Sequence, residues 1–123
     1  MTIQEAINRL DSLKPNQYTQ SEKILWLSQL DGRIKQEIID THEGARVEFA
    51  GYTEETPLST QLLVTAPHES IYEYWLEAQI DYANREFGSY NNSMAMFNSA
   101  YNGYWRYYNR THKPKGAKIS ALS

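Results

Sequence analysis

Between Ile71 and Phe87 the apolar residues fall on two sides of one helical period, and no other feature restricts the fold as much. Ile71, Trp75, Ala78 and Tyr82 form one stripe, and Tyr72, Leu76, Ile80, Ala83 and Phe87 form the other. A helix that is apolar on two sides has to be covered from two directions, which places it in the middle of a bundle. Its expected range is about His68 to Phe87. Gly88 is the expected stop, because glycine takes the left-handed conformation that commonly ends a helix.

Three further segments carry helical patterns. Thr2 and Glu5 have the spacing of a capping box, in which the hydroxyl accepts an orphan backbone N–H and the carboxylate reaches back to the cap. Ile3, Ala6, Ile7, Leu10 and Leu13 then share one face of a short helix that stops at Lys14-Pro15-Asn16. The same device at Thr19 and Glu22 opens a longer helix with Ile24, Leu27, Leu30, Ile34 and Ile38 at three- and four-residue spacing. Gly32 weakens that helix locally, by roughly 1 kcal/mol. The last helix is expected from about Asn92 to Asn109, where Met94, Phe97, Tyr101, Tyr104 and Tyr108 keep a 3-4-3-4 spacing and Ala100 and Trp105 widen the face.

From Thr41 to Pro67 the helical period is lost. Val47, Phe49 and Gly51 alternate with Glu48 and Ala50, and Gln61 to Thr65 is a short β-prone run. With the Thr53–Pro57 loop between them, these read as two short strands of a hairpin. A segment this long between helices has its own task or is mobile. At 123 residues the chain fits one domain. The expected fold is all-α: a four-helix bundle-like domain over residues 1–109, a small β-hairpin insertion at 41–67 between helices 2 and 3, and an extended basic C-terminal arm over 110–123.

Charge divides the chain unevenly. All fifteen carboxylates lie at or before Glu86, and the last thirty-seven residues carry only positive charge and half of the aromatics. Residues 1–105 hold seven basic and fifteen acidic side chains, a net of −8, and the remainder holds five basic and none acidic. An acidic body argues against a broad nucleic-acid-binding face, since phosphate binding needs clustered cations. A short basic arm is compatible with phosphate or with an acidic protein surface. Without cysteine there are no disulfides, thiolate metal sites or cysteine nucleophiles. Met1 to Leu13 contains Glu5 and Asp11, unlike the apolar run of a signal peptide. No apolar stretch approaches the ~18 residues that span a bilayer. A soluble intracellular product is the expectation.

The candidate chemistries are thin. Asp40, His42 and Glu43 imitate a metal site but offer no closed ligand set, and read as solvated residues after a helix end. His68-Glu69 reads as a helix start, with the carboxylate favoured by the macrodipole. Glu73, Glu77 and Asp81 share a helical face largely opposite the aromatic stripes, so a solvated or inter-subunit face is simpler than an acid–base pair. No serine sits in a nucleophile elbow and no glycine loop cradles phosphate. The expectation is therefore a protein without enzymatic activity, metal or cofactor.

The aromatics of the last helix admit two readings. They fill a core with some hydroxyls at the rim, or they form a partner-facing patch. Met94, Phe97, Tyr101 and Tyr104 are expected in the core, and Tyr107 and Tyr108, beside the basic arm, are the contact candidates. Base stacking is a third option that the acidic body disfavours. The arm from Arg110 to Ser123 has no apolar period, and Pro114 and Gly116 oppose a helix. It is either an ordinary disordered terminus or a segment that orders on docking through its charge, Ile119 and Leu122.

With this order of elements, the chain resembles the small helical head–tail connector, or adaptor, proteins of tailed bacteriophages. The resemblance covers nearly the whole chain: a short first helix, the Thr19–Asp40 helix, an irregular or β insertion, two packed helices and an extended C-terminal tail. It is also carried locally by Leu27-Ser-Gln-Leu-Asp-Gly-Arg-Ile-Lys, Trp75-Leu-Glu-Ala-Gln-Ile-Asp-Tyr-Ala-Asn and Tyr90-Asn-Asn-Ser-Met-Ala-Met-Phe-Asn. The resemblance implies a structural protein of the virion neck, made in the host bacterial cytoplasm. It implies a homo-oligomeric ring of about twelve copies beneath the portal protein, with a stopper or tail-completion protein at the other end. Genomic DNA would pass through the channel without specific binding, and no membrane is involved.

Carried over by position, the portal-docking arm would include Tyr107, Tyr108, Arg110, Lys113, Pro114, Lys115, Lys118 and Ile119. The insertion, with Val47, Glu48, Phe49, Glu54 and Glu55, would meet a neighbouring subunit or face the channel. Its glutamates suit a lining that repels passing DNA. Glu73, Glu77 and Asp81 could meet Arg33 and Lys35 of a neighbour. The alternative is a small regulatory or nucleic-acid-binding module using the basic arm. With about four cations in contact, its affinity should fall with salt at a log–log slope of about −3 to −4.

Overall fold

A computed structural model describes residues 1–44 and 46–116. Helix α1 (Ile3–Leu13) starts as its sequence dictates: the Glu5 N–H donates to Thr2 Oγ1 at 3.1 Å, and the Thr2 N–H donates to Glu5 Oε1 at 2.9 Å. Helix α2 (Gln20–Ile34) begins with the Glu22 N–H donating to Thr19 Oγ1. It continues into a π-helical turn, Lys35–Ile39, where the Asp40 N–H reaches back to the Lys35 carbonyl at 2.8 Å. Helix α3 (Ser70–Ala83) packs on α1, α2 and α4, the central position that its two stripes require. Helix α4 (Phe87–Thr111) lies along α3 and touches the π turn.

The core joins Leu10 of α1, Leu27, Leu30 and Ile34 of α2, Ile71, Tyr72, Leu76 and Ile80 of α3, and Phe97 of α4, all buried. Burial contributes roughly 1.5–3 kcal/mol for each large aliphatic or aromatic side chain. Trp75 completes the α3–α4 contact with its ring 5.0 Å from Phe97, and its Nε1–H donates to the Trp26 carbonyl at 2.8 Å. Gly32 sits under Phe49, whose ring edge would be 3.6 Å from an added Cβ, an ordinary contact.

The break between α3 and α4 is not at Gly88. It falls at Asn84–Glu86, with Arg85 at φ 62°, and Gly88 belongs to the first turn of α4, which starts five residues before Asn92. The Glu86 N–H donates to the Asp81 carbonyl and the Arg85 N–H to the Tyr82 carbonyl, the paired bonds of a Schellman ending. A non-glycine residue takes the left-handed position there, which local composition does not announce.

The expected β-hairpin does not form: among the described residues there are no strands, only isolated bridges at Thr2–Gln61 and His42–Pro114. The reason is where the backbone groups go. The Ile3 and Gln4 N–H groups, orphans of the first turn of α1, donate to the carbonyls of Thr60 and Leu58, and the Leu62 N–H returns to Met1. The Tyr52 N–H donates to Ser28 Oγ on α2 at 2.9 Å. Val47 and Phe49 pack against the core. Each half of the segment is bonded to helices, so neither is left to pair with the other. It is a strap across α1 and α2.

Candidate functional site

Where the strap crosses α2 it closes on Asp31, which is 0% exposed. Its Oδ1 accepts the Tyr72 hydroxyl at 2.7 Å, and its Oδ2 accepts the Tyr52 hydroxyl at 2.5 Å and the Leu63 N–H at 3.1 Å. Tyr72 is itself an acceptor, taking the Val64 N–H at 2.7 Å. Burial pushes the Asp31 carboxyl up, and the three donors hold it down against that, with the net shift upward. Burial and the adjoining carboxylate push Tyr52 and Tyr72 well above the usual phenol range. Every polar atom of this cluster is bonded within the chain, so its task is to hold the strap to α2 and α3. The sequence reading passed over Asp31. Its signal was legible: it lies seven residues after Ile24 and four after Leu27, on the apolar stripe of α2.

A second buried carboxylate revises the acidic face of α3. Asp81 is buried, paired with the Lys14 ammonium, and accepts the Ser93 hydroxyl at 2.8 Å. Glu73 holds Arg9 at 3.4 Å. Burial and the neighbouring Glu73 push the Glu77 carboxyl up, while Lys14 opposes the shift. The stripe expected to be solvated is covered by α1, because the cations that α1 supplies, Arg9 and Lys14, face it. Asp81 is thus held inside the chain. Arg33 and Lys35, the expected partners across a subunit boundary, are also engaged at home. Arg33 donates to Glu37 at 2.9 Å and lies 4.5 Å from the Tyr101 ring, and Lys35 pairs with Asp40 at 2.7 Å.

At the C-terminal end of α4 the aromatic contact candidates are half-buried. Tyr107 packs on His68, with ring centres 4.7 Å apart, and Tyr108 packs edge-on to His42 at 4.9 Å and stacks on His112 at 3.9 Å. His42 is buried rather than solvated, with Nδ1 2.6 Å from the Ile38 carbonyl and Nε2 2.5 Å from Asn109 Oδ1. Glu69 does not cap α3 through its side chain; it holds the Met1 amino group. Among the described residues no group of acidic or histidine side chains is placed to hold a metal.

The arm is shorter than the charge boundary suggested. Arg110 is still helical, and the next residues turn back on the body: the Glu43 N–H donates to the Lys113 carbonyl and the Lys115 N–H to the Thr41 carbonyl, both at 2.7 Å, around the His42–Pro114 bridge. The Lys113 and Lys115 side chains remain exposed. Lys118 and Ile119 lie outside the described residues. In the strap, Val47 and Phe49 face the core, Glu48 is 83% exposed beside Arg46, Glu54 accepts the Ser21 hydroxyl at 2.6 Å, and Glu55 is exposed. Beside the π turn an open groove of about 480 Å³ is lined by Arg33, Glu37, Ile38, Asn98, Tyr101, Asn102 and Trp105. The Tyr101 hydroxyl donates to Glu37 there. That bond, and then Arg33, hold the Glu37 carboxyl below its usual range.

No helix among the described residues is long and apolar enough to cross a membrane. Compared with known proteins, the chain matches no family model, no curated protein and no solved structure.

Proposed function

We propose that this chain is a structural head–tail connector of a tailed phage. It would form a ring below the portal protein and link the capsid to the tail around the DNA channel, with a stopper or tail-completion protein beyond it. The observation that carries the reading is the division of charge along α4. The helix leaves an acidic body, carries cations alone from Phe87 onward, and delivers Arg106, Arg110, Lys113 and Lys115 to one end of the domain. Four exposed cations on an otherwise acidic protein suit an acidic protein surface. In this reading the four helices act as a bundle around α3, a stable body from which the terminal segment reaches the portal.

The test is recovery of portal protein by the tagged chain from cells producing the phage that encodes it. The cut belongs after Gly116, because a deletion from Arg110 would strip the Lys113–Lys115 pairing with Thr41–Glu43 as well as the tail. Portal protein recovered near stoichiometrically with the full chain, and lost when residues 117–123 are removed, is the expected result. Recovery of nucleic acid without any neck protein would replace this reading with the nucleic-acid module.

A further inference from the structure

The groove between the π turn and α4 takes no part in the connector function. Its volume of about 480 Å³ falls in the range of small-ligand sites. One wall is built at the π turn, and such turns are rare and frequent at functional sites. Arg33 and Glu37 stand on that wall, one turn apart. On α4, Asn98, Asn102 and Trp105 fall at i, i+4 and i+7, so they share the face that makes the other wall. Asn102 lies about 6 Å along the helix from Asn98, and Trp105 about 4.5 Å further. Ile38 and Tyr101, both buried, lie beneath.

The walls keep bonding capacity for a ligand. Glu37 takes both the Arg33 Nε–H and the Tyr101 hydroxyl on Oε1, so Oε2 is left to accept from another molecule. Tyr101 and then Arg33 hold the Glu37 carboxyl below its usual range, so it is an acceptor at neutral pH. Arg33 spends one donor of its fork on Glu37 and keeps the rest. Asn98 and Asn102 are exposed, and each carboxamide both donates and accepts. Trp105, 46% exposed, presents an aromatic ring beside them.

A single cation and a single carboxylate line the groove and offset each other, so neither an anion nor a cation is favoured. A wholly apolar ligand would strip water from the carboxylate and the carboxamides without replacing its hydrogen bonds. What fits is a neutral molecule with an apolar face for the indole and polar groups around its edge. A flat base has fixed donors and acceptors. A hydroxyl is both, so it satisfies an acceptor-only carboxylate, a donor-only guanidinium and a carboxamide alike.

We infer that this groove binds a saccharide. One sugar ring lies on Trp105, and its hydroxyls are held by Asn98 and Asn102 on one side and by Glu37 and Arg33 across the groove. The C–H face of the sugar packs on the indole and removes apolar area from water. The groove is open, so a single ring binds with a Kd of about 1 mM. The site is independent of any assembly between copies or with a portal protein.

Titration of the full isotope-labelled chain with glucose, galactose and N-acetylglucosamine tests this, read by the NMR signals of the Asn98 and Asn102 carboxamides and the Trp105 indole N–H. Adenine and inorganic phosphate are the controls for a flat base and an anion. At least one of the sugars should shift those signals saturably, and neither control should. Trp105→Ala, and separately Asn98→Ala with Asn102→Ala, should each weaken binding by at least about tenfold. All three residues are exposed and alanine favours a helix, so both variants should fold as the wild type does, which circular dichroism checks. Absence of a saturable shift with every sugar overturns the inference, as does sugar binding that both variants leave unchanged. A response to adenine or phosphate with none to sugar gives the groove to another ligand class and overturns it too.

Discussion

At the scale of single residues, Arg85 is the clearest case of local conformation set by context. Its φ of 62° ends α3, and its guanidinium lies 5.3 Å from the Tyr82 ring. Glycine would remove the left-handed cost and forfeit that contact, so Arg85→Gly is expected to stabilise by about 0.5–1 kcal/mol in urea unfolding. The sequence signal misled here because Gly88, three residues on, carries the composition of a stop without the geometry. Glu77 gives a prediction in pH. Burial and Glu73 raise its carboxyl, so its ionised form disfavours the fold, and its contribution to stability is fully present below the usual carboxylate range and lost as pH rises through the raised value. Glu77→Gln should therefore raise the melting temperature at pH 7, and the gain should shrink as pH falls through the raised value and be gone below about 4. An equal gain at both pH values would place its cause in packing.

At the scale of elements, the helices were legible because their signals are local. Caps sit three residues apart, and apolar residues recur every three or four, so α1, the start of α2 and the core face of α4 follow from spacing alone. The strap was not legible in that way. The alternation at Val47–Gly51 and the β-prone run at Gln61–Thr65 are real, but the partners are Ser28, Asp31, Tyr72 and the first turn of α1, all distant in sequence. Tyr72→Phe leaves both the Val64 N–H and one Asp31 oxygen unpaired in the core, which should cost about 2–3 kcal/mol. Tyr52→Phe leaves Leu63 on the other oxygen and should cost about 1 kcal/mol. Equal losses for the two phenols, measured by urea unfolding, would remove the distinction. On α4, Gly103 has nothing within 4 Å of an added Cβ, so Gly103→Ala should add about 0.5–1 kcal/mol through helix propensity.

At the scale of the whole molecule, the charge division was plain in the sequence, and the structure changes what it means. The basic stretch is not an arm free from Arg110 onward, since the chain is held to Thr41–Glu43 as far as Lys115. The acidic face of α3 turns inward to α1 through Lys14 and Arg9. What remains outside at the C-terminal end of α4 are the exposed cations Arg106, Arg110, Lys113 and Lys115, with Glu43 exposed beside them. The most direct measurement is the amount of this chain in purified phage particles, relative to portal protein, by quantitative mass spectrometry. The account expects it to co-purify with filled heads at a ratio to portal near that of two stacked rings, about one. Its absence from particles, with the chain abundant in the infected cell, would contradict the connector reading at its root.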